Sequence, residues 1–393
     1  MTEPIRGVRA RRALLGPQLD AADDVWLTFD RGVISAIGTG QPPMPLPWAP
    51  GDVVAPGLVD CHVHLAMSGS ADVVQELAAR DAQGLEDAVR CNAAAQVHDG
   101  VTTVRDLGSP NDIVVSLGHQ LSSSGAEAPT VVAASAISSP SGHGHFLARH
   151  ASTASEYVDA VEAAAATGAR CIKVFATGGV ITQGTLPGAP QMSHDELEAV
   201  VRAARAYGLG VAAHAHGAEG IRRAVQAGVH SVEHFSHLDG QDVAAVRQST
   251  TWLVSTLVAT ERFVRDPRRE QANPGTLDKI LAHVPAERAS LRRAVASGCR
   301  LAAGTDAGTT FNPHGGGMAE EAQLLADAGM HPLQVLRTLT VNGALLLHEP
   351  AGWLAVGRRA DAVCLDGDPT VEPGCLSNVR AVIVRGHRLP GRP

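Results

Sequence analysis

The feature that most constrains the fold is a repeated alternation of short apolar segments with alanine-rich helical segments between residues 57 and 307. Such alternation is typical of parallel strands connected by helices. One helical segment begins with a capping-box sequence, Ser193-His-Asp-Glu196, and has Gly208 as its stop signal. Eight strand–helix units predict an α/β fold, a (β/α)8 TIM barrel. The predicted strands are 57–64, 101–107, 130–138, 171–177, 210–216, 231–235, 252–258 and 300–307.

Both ends of the chain have a different pattern, in which short strands follow one another between Asp and Gly residues. Chain termini of compact domains often lie close together, so the two ends can share one sheet. We therefore expect residues 1–54 and 350–393 to form a small composite β-sandwich domain and residues 55–349 to form the barrel. The length of 393 residues is sufficient for both units.

The composition excludes several classes of protein. Hydrophobic residues make up 45% of the chain and charged residues 18%, which excludes disorder throughout. The net charge of −8, from 32 Lys and Arg against 40 Asp and Glu, argues against a nucleic-acid partner. No segment resembles a membrane span, and the six cysteines form no C-x-x-C pair. We expect a cytoplasmic protein with a small-molecule partner; the oligomeric state stays open, and a homo-oligomer is compatible with the sequence.

Polar side chains recur at the carboxyl ends of the predicted strands, where barrel enzymes carry their reactive groups. Strand one ends in His62-Val-His64, and alternation along a strand places both imidazoles on one face. Strands five, six and eight end with His214, His234 and Asp306. Neutral imidazoles with a carboxylate suit zinc, manganese or iron. A single H-x-H pair is also compatible with ordinary core or surface histidines, but the ordered set predicts a divalent metal site.

These motifs resemble those of the amidohydrolase superfamily. The first-strand sequence Val-Ala-Pro-Gly-Leu-Val-Asp60-Cys-His62-Val-His64 is similar to the signature of that superfamily. The remaining motifs resemble the imidazolonepropionase-related branch, which contains metal-dependent Xaa-Pro and Xaa-Arg dipeptidases. They are Thr-Thr-Val-Arg105-Asp106-Leu-Gly, Lys173-Val-Phe-Ala-Thr-Gly-Gly, Ala-His214-Ala-His216-Gly, Ser-Val-Glu-His234 and Gly357-Arg-Arg-Ala-Asp361.

The resemblance implies a binuclear metal centre, most simply with two zinc ions, although manganese or iron would also fit. It implies that Lys173 is carboxylated by CO2 and bridges the two metals. It implies that Asp306 is also the general base. The implied ligands are His62, His64 and Asp306 for one metal and His214 and His234 for the other.

Lys173 has a physical argument of its own. An ammonium group cannot bind a metal, and burying it among cations is costly. The lysine is therefore either converted to a carbamate or paired with a carboxylate. In the second case the site would hold one metal.

Other polar residues have less defined roles in the sequence. His216 shares a strand face with His214, and we interpret it as a substrate-facing residue rather than a ligand. In the loop after strand three, His143 is the candidate donor to a developing oxyanion, with His145 as the reserve. Alternatively, both histidines belong to a flexible polar loop and have no catalytic role. His237 is interpreted as a loop residue.

Three acidic or basic groups near the strands have structural interpretations. Arg105 and Asp106 are expected to form an ion pair under the site. Asp60 is expected to orient a ligating histidine, and Glu233 to be buried and hydrogen-bonded. The segment 262–271 is charge-dense and contains Pro267, so it is predicted to be an exposed loop.

The sequence thus predicts an amidohydrolase that cleaves the amide bond of a dipeptide, an N-acyl amino acid or a cyclic amide. Asp306 and His143 are the predicted catalytic residues. A deaminase, a lactonase, a phosphotriesterase or a biosynthetic cyclase or dehydratase could use the same site, and a non-enzymatic binding protein is the remaining alternative. We also hypothesise that one arginine holds a substrate carboxylate. The alternative interpretation is that these arginines are a solvated run of charges without a substrate role. The candidate arginines are Arg149, Arg262, Arg265, Arg268 and Arg269.

Overall fold

The computed structural model describes residues 4–123, 127–273 and 275–391. Residues 1–3 and 392–393 of the expected small domain, and residue 274 of the loop after strand seven, lie outside this part of the chain. The described residues form sixteen strands. They are β1 (Gly7–Leu15), β2 (Asp20–Asp30), β3 (Val33–Thr39), β4 (Val53–Pro56), β5 (Leu58–Val63), β6 (Val101–Asp106), β7 (Thr130–Ser138), β8 (Ala148–His150), β9 (Cys171–Phe175), β10 (Gly210–Ala215), β11 (Ser231–His234), β12 (Trp252–Ser255), β13 (Leu301–Ala303), β14 (Ala362–Leu365), β15 (Val379–Val384) and β16 (His387–Pro390).

The same residues form twelve α-helices. None of the helices combines the length and the apolar character that crossing a bilayer requires, over the ranges that the structure describes. The helices are α1 (Val73–Ala79), α2 (Ala82–His98), α3 (Ile113–Ser123), α4 (Ala154–Ala166), α5 (His194–Ala206), α6 (Ala218–Ala227), α7 (Gly240–Gln248), α8 (Leu257–Arg265), α9 (Thr276–Ala296), α10 (Gly317–Asp327), α11 (Pro332–Arg337) and α12 (Gly343–Leu347).

Local sequence signals account for helix ends. At the start of α5 the Ser193 side chain accepts from the backbone N–H of Glu196, and the Glu196 carboxylate accepts from the N–H of Ser193. Both unpaired backbone donors are thereby satisfied, as the capping box predicts. Helix α6 ends at Gly228, whose φ of +80° lies in the left-handed region that glycine adopts without strain.

The barrel strands are parallel and follow the order β5-β6-β7-β9-β10-β11-β12-β13. The ring nearly closes between its first and last strands, through a bridge between Val63 and Ala307. The backbone N–H of Asp306 donates to the carbonyl of His62 at 2.7 Å across this seam. The predicted (β/α)8 barrel is confirmed, and its closure brings the ends of strands one and eight together.

The two chain ends form a separate seven-stranded sheet in the order β16-β15-β14-β4-β1-β2-β3. Strand β4 lies between the two halves: it pairs parallel with β1 and antiparallel with β14. The predicted β unit built from both termini is confirmed. The expected boundary between residues 54 and 55 falls inside β4, and the division of the chain into domains at that point stays a proposal.

The prediction of an exposed loop at 262–271 is wrong in its first part. Strand β12 ends at Ser255, and α8 begins at Leu257 and runs to Arg265. Phe263 is buried in this helix, while the side chain of Arg265 is 65% exposed. The density of charge marks one face of an amphipathic helix, which ends just before Pro267 because proline cannot continue the hydrogen-bonding pattern.

Candidate metal centre

The candidate residues meet in one cavity at the carboxyl ends of the barrel strands. Its volume is about 770 Å³ including the solvent at its mouth. The cavity is lined by all the predicted ligands and by two predicted substrate contacts. They are His62, His64, His143, Lys173, His214, His216, His234 and Asp306.

The first group of possible ligands joins strands one and eight. The Nε2 atoms of His62 and His64 lie 3.3 and 3.4 Å from Oδ1 of Asp306. The Nδ1–H of His62 donates to Oε2 of Glu233 at 3.0 Å, and that of His64 donates to the carbonyl of Gly108 at 3.2 Å. These contacts keep the proton of each neutral ring on Nδ1. Both Nε2 lone pairs therefore face Asp306 and are available to a cation.

The orienting group for His62 differs from the sequence-based expectation. Asp60 accepts from the backbone N–H groups of His62 and Thr305 and from the hydroxyl of Thr305, rather than from the imidazole. Arg105 also differs, because its guanidinium donates to Glu233 at 2.9 Å rather than to Asp106. Neighbours along a strand point to opposite faces, so Arg105 and Asp106 cannot pair with each other. Glu233 is buried and hydrogen-bonded, as expected, and it orients the ring of His62.

The second group consists of His214, His216 and His234, each of which offers one ring nitrogen within 4.8 Å of the others. The Nε2–H of His214 donates to the carbonyl of Gly178 at 3.1 Å. Nδ1 of His216 lies 2.6 Å from Oγ of Ser236, and Nδ1 of His234 lies 2.7 Å from Oγ1 of Thr256. His216 therefore lies beside the two predicted ligands, and its ring nitrogen is close enough to theirs to bind the same cation.

Burial keeps these imidazoles neutral. Desolvation lowers the pKa of His64 to about 3 and, with nearby Lys173 and other histidines, lowers the pKa values of His62, His214 and His234 well below the ordinary value. A neutral imidazole presents a lone pair, which is the form that binds a metal.

Lys173 lies in the same cavity and is one of only two lysines in the sequence. Its side chain is 1% exposed, and its Nζ has no hydrogen-bond partner among the described residues. Burial lowers the pKa of this amine, while the charges of Glu233 and Asp306 oppose the shift. Burying an amine without a hydrogen-bond partner costs free energy of folding, unless the amine is converted to another group. Together with the neutral imidazoles, this orphaned atom fits a carbamate that shares metal ions with the histidines.

Two of the candidate ligands have left-handed backbone conformations. His234 has a φ of +69° and Asp306 a φ of +52°. Residues other than glycine rarely adopt such angles, and those that do concentrate at functional sites. His234 ends β11, and Asp306 lies three residues beyond the end of β13. At both places the backbone turns the side chain toward the cavity.

The predicted loop histidines separate in the structure. His143 lines the cavity, and its Nδ1 lies 2.8 Å from Oγ1 of Thr182. Oγ1 also accepts from the N–H of Gly144, and its own hydrogen can be donated to Nδ1, an arrangement that places the ring proton on Nε2. His145 contacts the carbonyl of Gly142 and does not line the cavity. The structure therefore favours His143 over His145 as a hydrogen-bond donor to substrate.

Sequence reasoning missed Glu287, a buried carboxylate in the cavity wall. It accepts from Ser236 and Thr260, and Ser236 in turn contacts His216. Burial raises the pKa of Glu287. The available signal was an acidic residue on the buried face of α9, the face that also carries Ile280 and Leu291.

The comparisons with known proteins agree with this geometry. A sequence model of the amidohydrolase family matches residues 53–389. This chain belongs to the amidohydrolase family. The amidohydrolase is 28% identical over 376 residues to an ochratoxinase of Aspergillus niger, which covers 84% of this chain and 73% of the relative. It is 27% identical over 361 residues to an imidazolonepropionase of Salinispora arenicola, covering 85% and 84%.

The solved structures extend the likeness to the whole fold. A crystal structure of a Xaa-Pro dipeptidase with bound methionine in the active site matches this amidohydrolase with a TM-score of 0.87 and 26% identity. The match covers 98% of this chain and 99% of that one. The resemblance inferred from the motifs is confirmed, and the amidohydrolase is an enzyme whose relatives support hydrolysis of an amide bond.

Proposed function

We propose that this amidohydrolase is a metal-dependent enzyme that cleaves the C–N amide bond of a small molecule. Two groups of buried, neutral ligand atoms open into one cavity, and the same cavity contains the unpaired amine of Lys173. This observation supports the proposal. The substrate classes predicted from the sequence are dipeptides, N-acyl amino acids and cyclic amides. The first substrate screen therefore covers these three classes.

Each ligand group would hold one divalent ion, zinc first and manganese or iron as alternatives. The first ion would bind to His62, His64 and Asp306, and the second to His214 and His234. Lys173 would join the two as a carbamate. When bound, such metals polarise a carbonyl group and lower the pKa of water. His216 stays a proposed substrate contact, although its ring belongs to the second group and lies against the rings of His214 and His234.

The protein's own groups then have distinct tasks. Asp306 takes a proton from the attacking water and delivers it to the nitrogen of the breaking C–N bond. Nε2–H of His143 donates to the carbonyl oxygen as negative charge develops there. The buried wall of the cavity limits water around the reacting bond, which strengthens both interactions.

The deaminase alternative gains no support from the acidic residue that follows His216 in the sequence, Glu219. Glu219 lies in the first turn of α6, where its carboxylate pairs with Arg222 and Arg223. It is not among the described residues that line the cavity. A screen that measures both ammonia and amine release distinguishes deamination from amide hydrolysis.

The test combines metal analysis with this substrate screen. We expect about two zinc or manganese ions per chain and amine release from at least one amide class. Chelation should remove the activity, and added metal should restore it. A chain that binds no divalent metal at micromolar concentrations would contradict the proposal, as would a metal-loaded enzyme that hydrolyses no amide.

A further inference from the structure

The cavity wall beyond the ligand groups is predominantly apolar. It is formed by side chains from the loop after β7, from β9 and its following loop, from α8 and from α9. The residues that matter for the argument are Phe146, Phe175, Val180, Ile181, Phe263 and Ile280.

No arginine lines this cavity among the residues that the structure describes. The five arginines proposed to hold a substrate carboxylate all have acidic partners elsewhere. The pairs are Arg149–Asp112, Arg262–Glu320, Arg265–Glu261, Arg268–Asp266 and Arg269–Glu270. Lys279, the second lysine of the chain, donates to the carbonyl of Thr182 and is also absent from the wall.

Apart from His143, six polar side chains line this wall. Four of them are engaged within the protein, and the other two carry the neutral hydroxyl groups of Thr276 and Thr310. Glu287 accepts from the hydroxyls of Ser236 and Thr260. The hydroxyl of Thr256 contacts His234, and that of Thr309 donates to the carbonyl of Asp306. A substrate carboxylate here would meet apolar side chains and an acid. An ammonium group would have to compete with two hydroxyl donors for Glu287.

We propose that the groups flanking the scissile amide are neutral and apolar, aromatic or branched, and carry neither a carboxylate nor an ammonium group. This proposal rests on the amide hydrolysis proposed above and narrows it. A charged group moved into such a wall loses its hydration without gaining a partner. Apolar groups instead gain from leaving water. Dipeptides and N-acyl amino acids, which carry such charges, are therefore poor substrates.

Three matched amides test the proposal on the zinc-loaded, full-length enzyme. N-phenylacetyl-benzylamine is neutral, N-phenylacetyl-phenylglycine adds one carboxylate, and N-phenylglycyl-benzylamine adds one ammonium group. We expect kcat/KM of the neutral amide to exceed that of either charged amide by roughly 30-fold or more, the factor that about 2 kcal/mol corresponds to. A charged amide that reacts equally well or faster would overturn this inference and leave amide hydrolysis intact. An enzyme that hydrolyses amides of the first screen but none of these three would overturn this inference alone, whereas hydrolysis of no amide at all would overturn the proposed function with it.

Variants of Ile280 locate the specificity in the wall. This side chain is 4% exposed, lines the cavity and lies on α9. I280K should raise kcat/KM for the carboxylate substrate relative to the neutral one by about tenfold, because it supplies the missing cation. I280M has a similar length without the charge and should leave that ratio unchanged. An unchanged ratio in a folded I280K, checked by thermal unfolding, would contradict the assignment of this wall. Should I280K not fold, T276K and T276M make the same comparison at a second lining position.

Discussion

Nδ1 of His62 donates to Oε2 of Glu233 at 3.0 Å, and this buried contact leaves Nε2 of the same ring facing Asp306. The second carboxylate oxygen of Glu233 accepts from Arg105. The acid thus fixes both the tautomer and the orientation of a predicted ligand, while the guanidinium balances its charge. Partners of this kind contribute to metal affinity although they do not touch the metal.

We expect E233Q to weaken zinc binding by about 10–100-fold, the usual cost of removing such a partner. The amide no longer attracts the Nδ1 proton as a carboxylate does. The measurement is a zinc competition titration, with E219Q as the control because Glu219 forms only exposed ion pairs with arginines. If E233Q lowered the melting temperature and left zinc affinity unchanged, Glu233 would have a structural role alone.

The carbamate proposed on Lys173 can be tested by carbon-13 NMR after incubation with labelled bicarbonate. We expect one carbamate resonance in the wild type, lost in K173M, and about two metals per chain falling to about one. Lys279 provides a matched control, since the sequence contains no other lysine. K279M should keep both the resonance and the second metal. A wild-type enzyme with two metals and no carbamate signal would contradict the proposal.

His216 belongs to the second ligand group but is proposed as a substrate contact, and measuring metal content and KM separately decides between the two roles. As a substrate contact, H216F should keep the metal stoichiometry of the wild type and raise KM by about tenfold, the cost of one lost hydrogen bond to substrate. H237F serves as the control because His237 contacts His283 and does not line the cavity in the described part of the chain. Loss of one metal from H216F would make this residue a ligand instead.

Much of the fold was predictable because each barrel strand carries its own signal. The ends of β7 at Thr130 and Ser138 coincide with the prediction, and the ligand candidates lie within or just after strands that the apolar pattern marks. Long-range partners were not predictable in this way. Arg105 and Glu233 are 128 residues apart, and only barrel closure shows that the guanidinium reaches across to this acid instead of pairing with neighbouring Asp106.

The hydrogen bond from Thr182 should hold the proton of His143 on Nε2. We expect T182V to lower kcat by about tenfold with little change in KM. The reason is that Nε2–H of His143 stabilises the developing oxyanion of the transition state more than the carbonyl oxygen of the bound substrate. T182S keeps the hydroxyl and should restore kcat. A structural role alone would lower the melting temperature of both the valine and the serine variant without this split between kcat and KM. Equal kcat values for T182V and the wild type would contradict the role given to Thr182.

Arg359 joins the barrel to the terminal sheet through a buried network. Its guanidinium donates to Glu349 at 2.6 Å, to Asp361 at 2.5 Å and to Thr103 of β6. We expect R359M to lower the free energy of unfolding by about 3–5 kcal/mol, because both acids lose their buried partner. R358M is the control, since Arg358 stacks on Trp353 and forms no such network. A loss below about 1 kcal/mol in urea unfolding would contradict this role.

The same network makes stability depend on pH. Burial alone would raise the pKa of Glu349, but the hydrogen bonds and charges of Arg359 and Arg170 lower it below the ordinary value of 4.5. A lowered pKa means that the unfolded chain binds the proton more tightly, so the contribution is fully present above the unfolded value. It is lost as the pH falls from that value through the lower, folded one. Between about pH 5 and 3, wild-type stability should therefore fall more steeply than that of E349Q. Parallel urea-unfolding curves for the two proteins over this range would contradict the assignment.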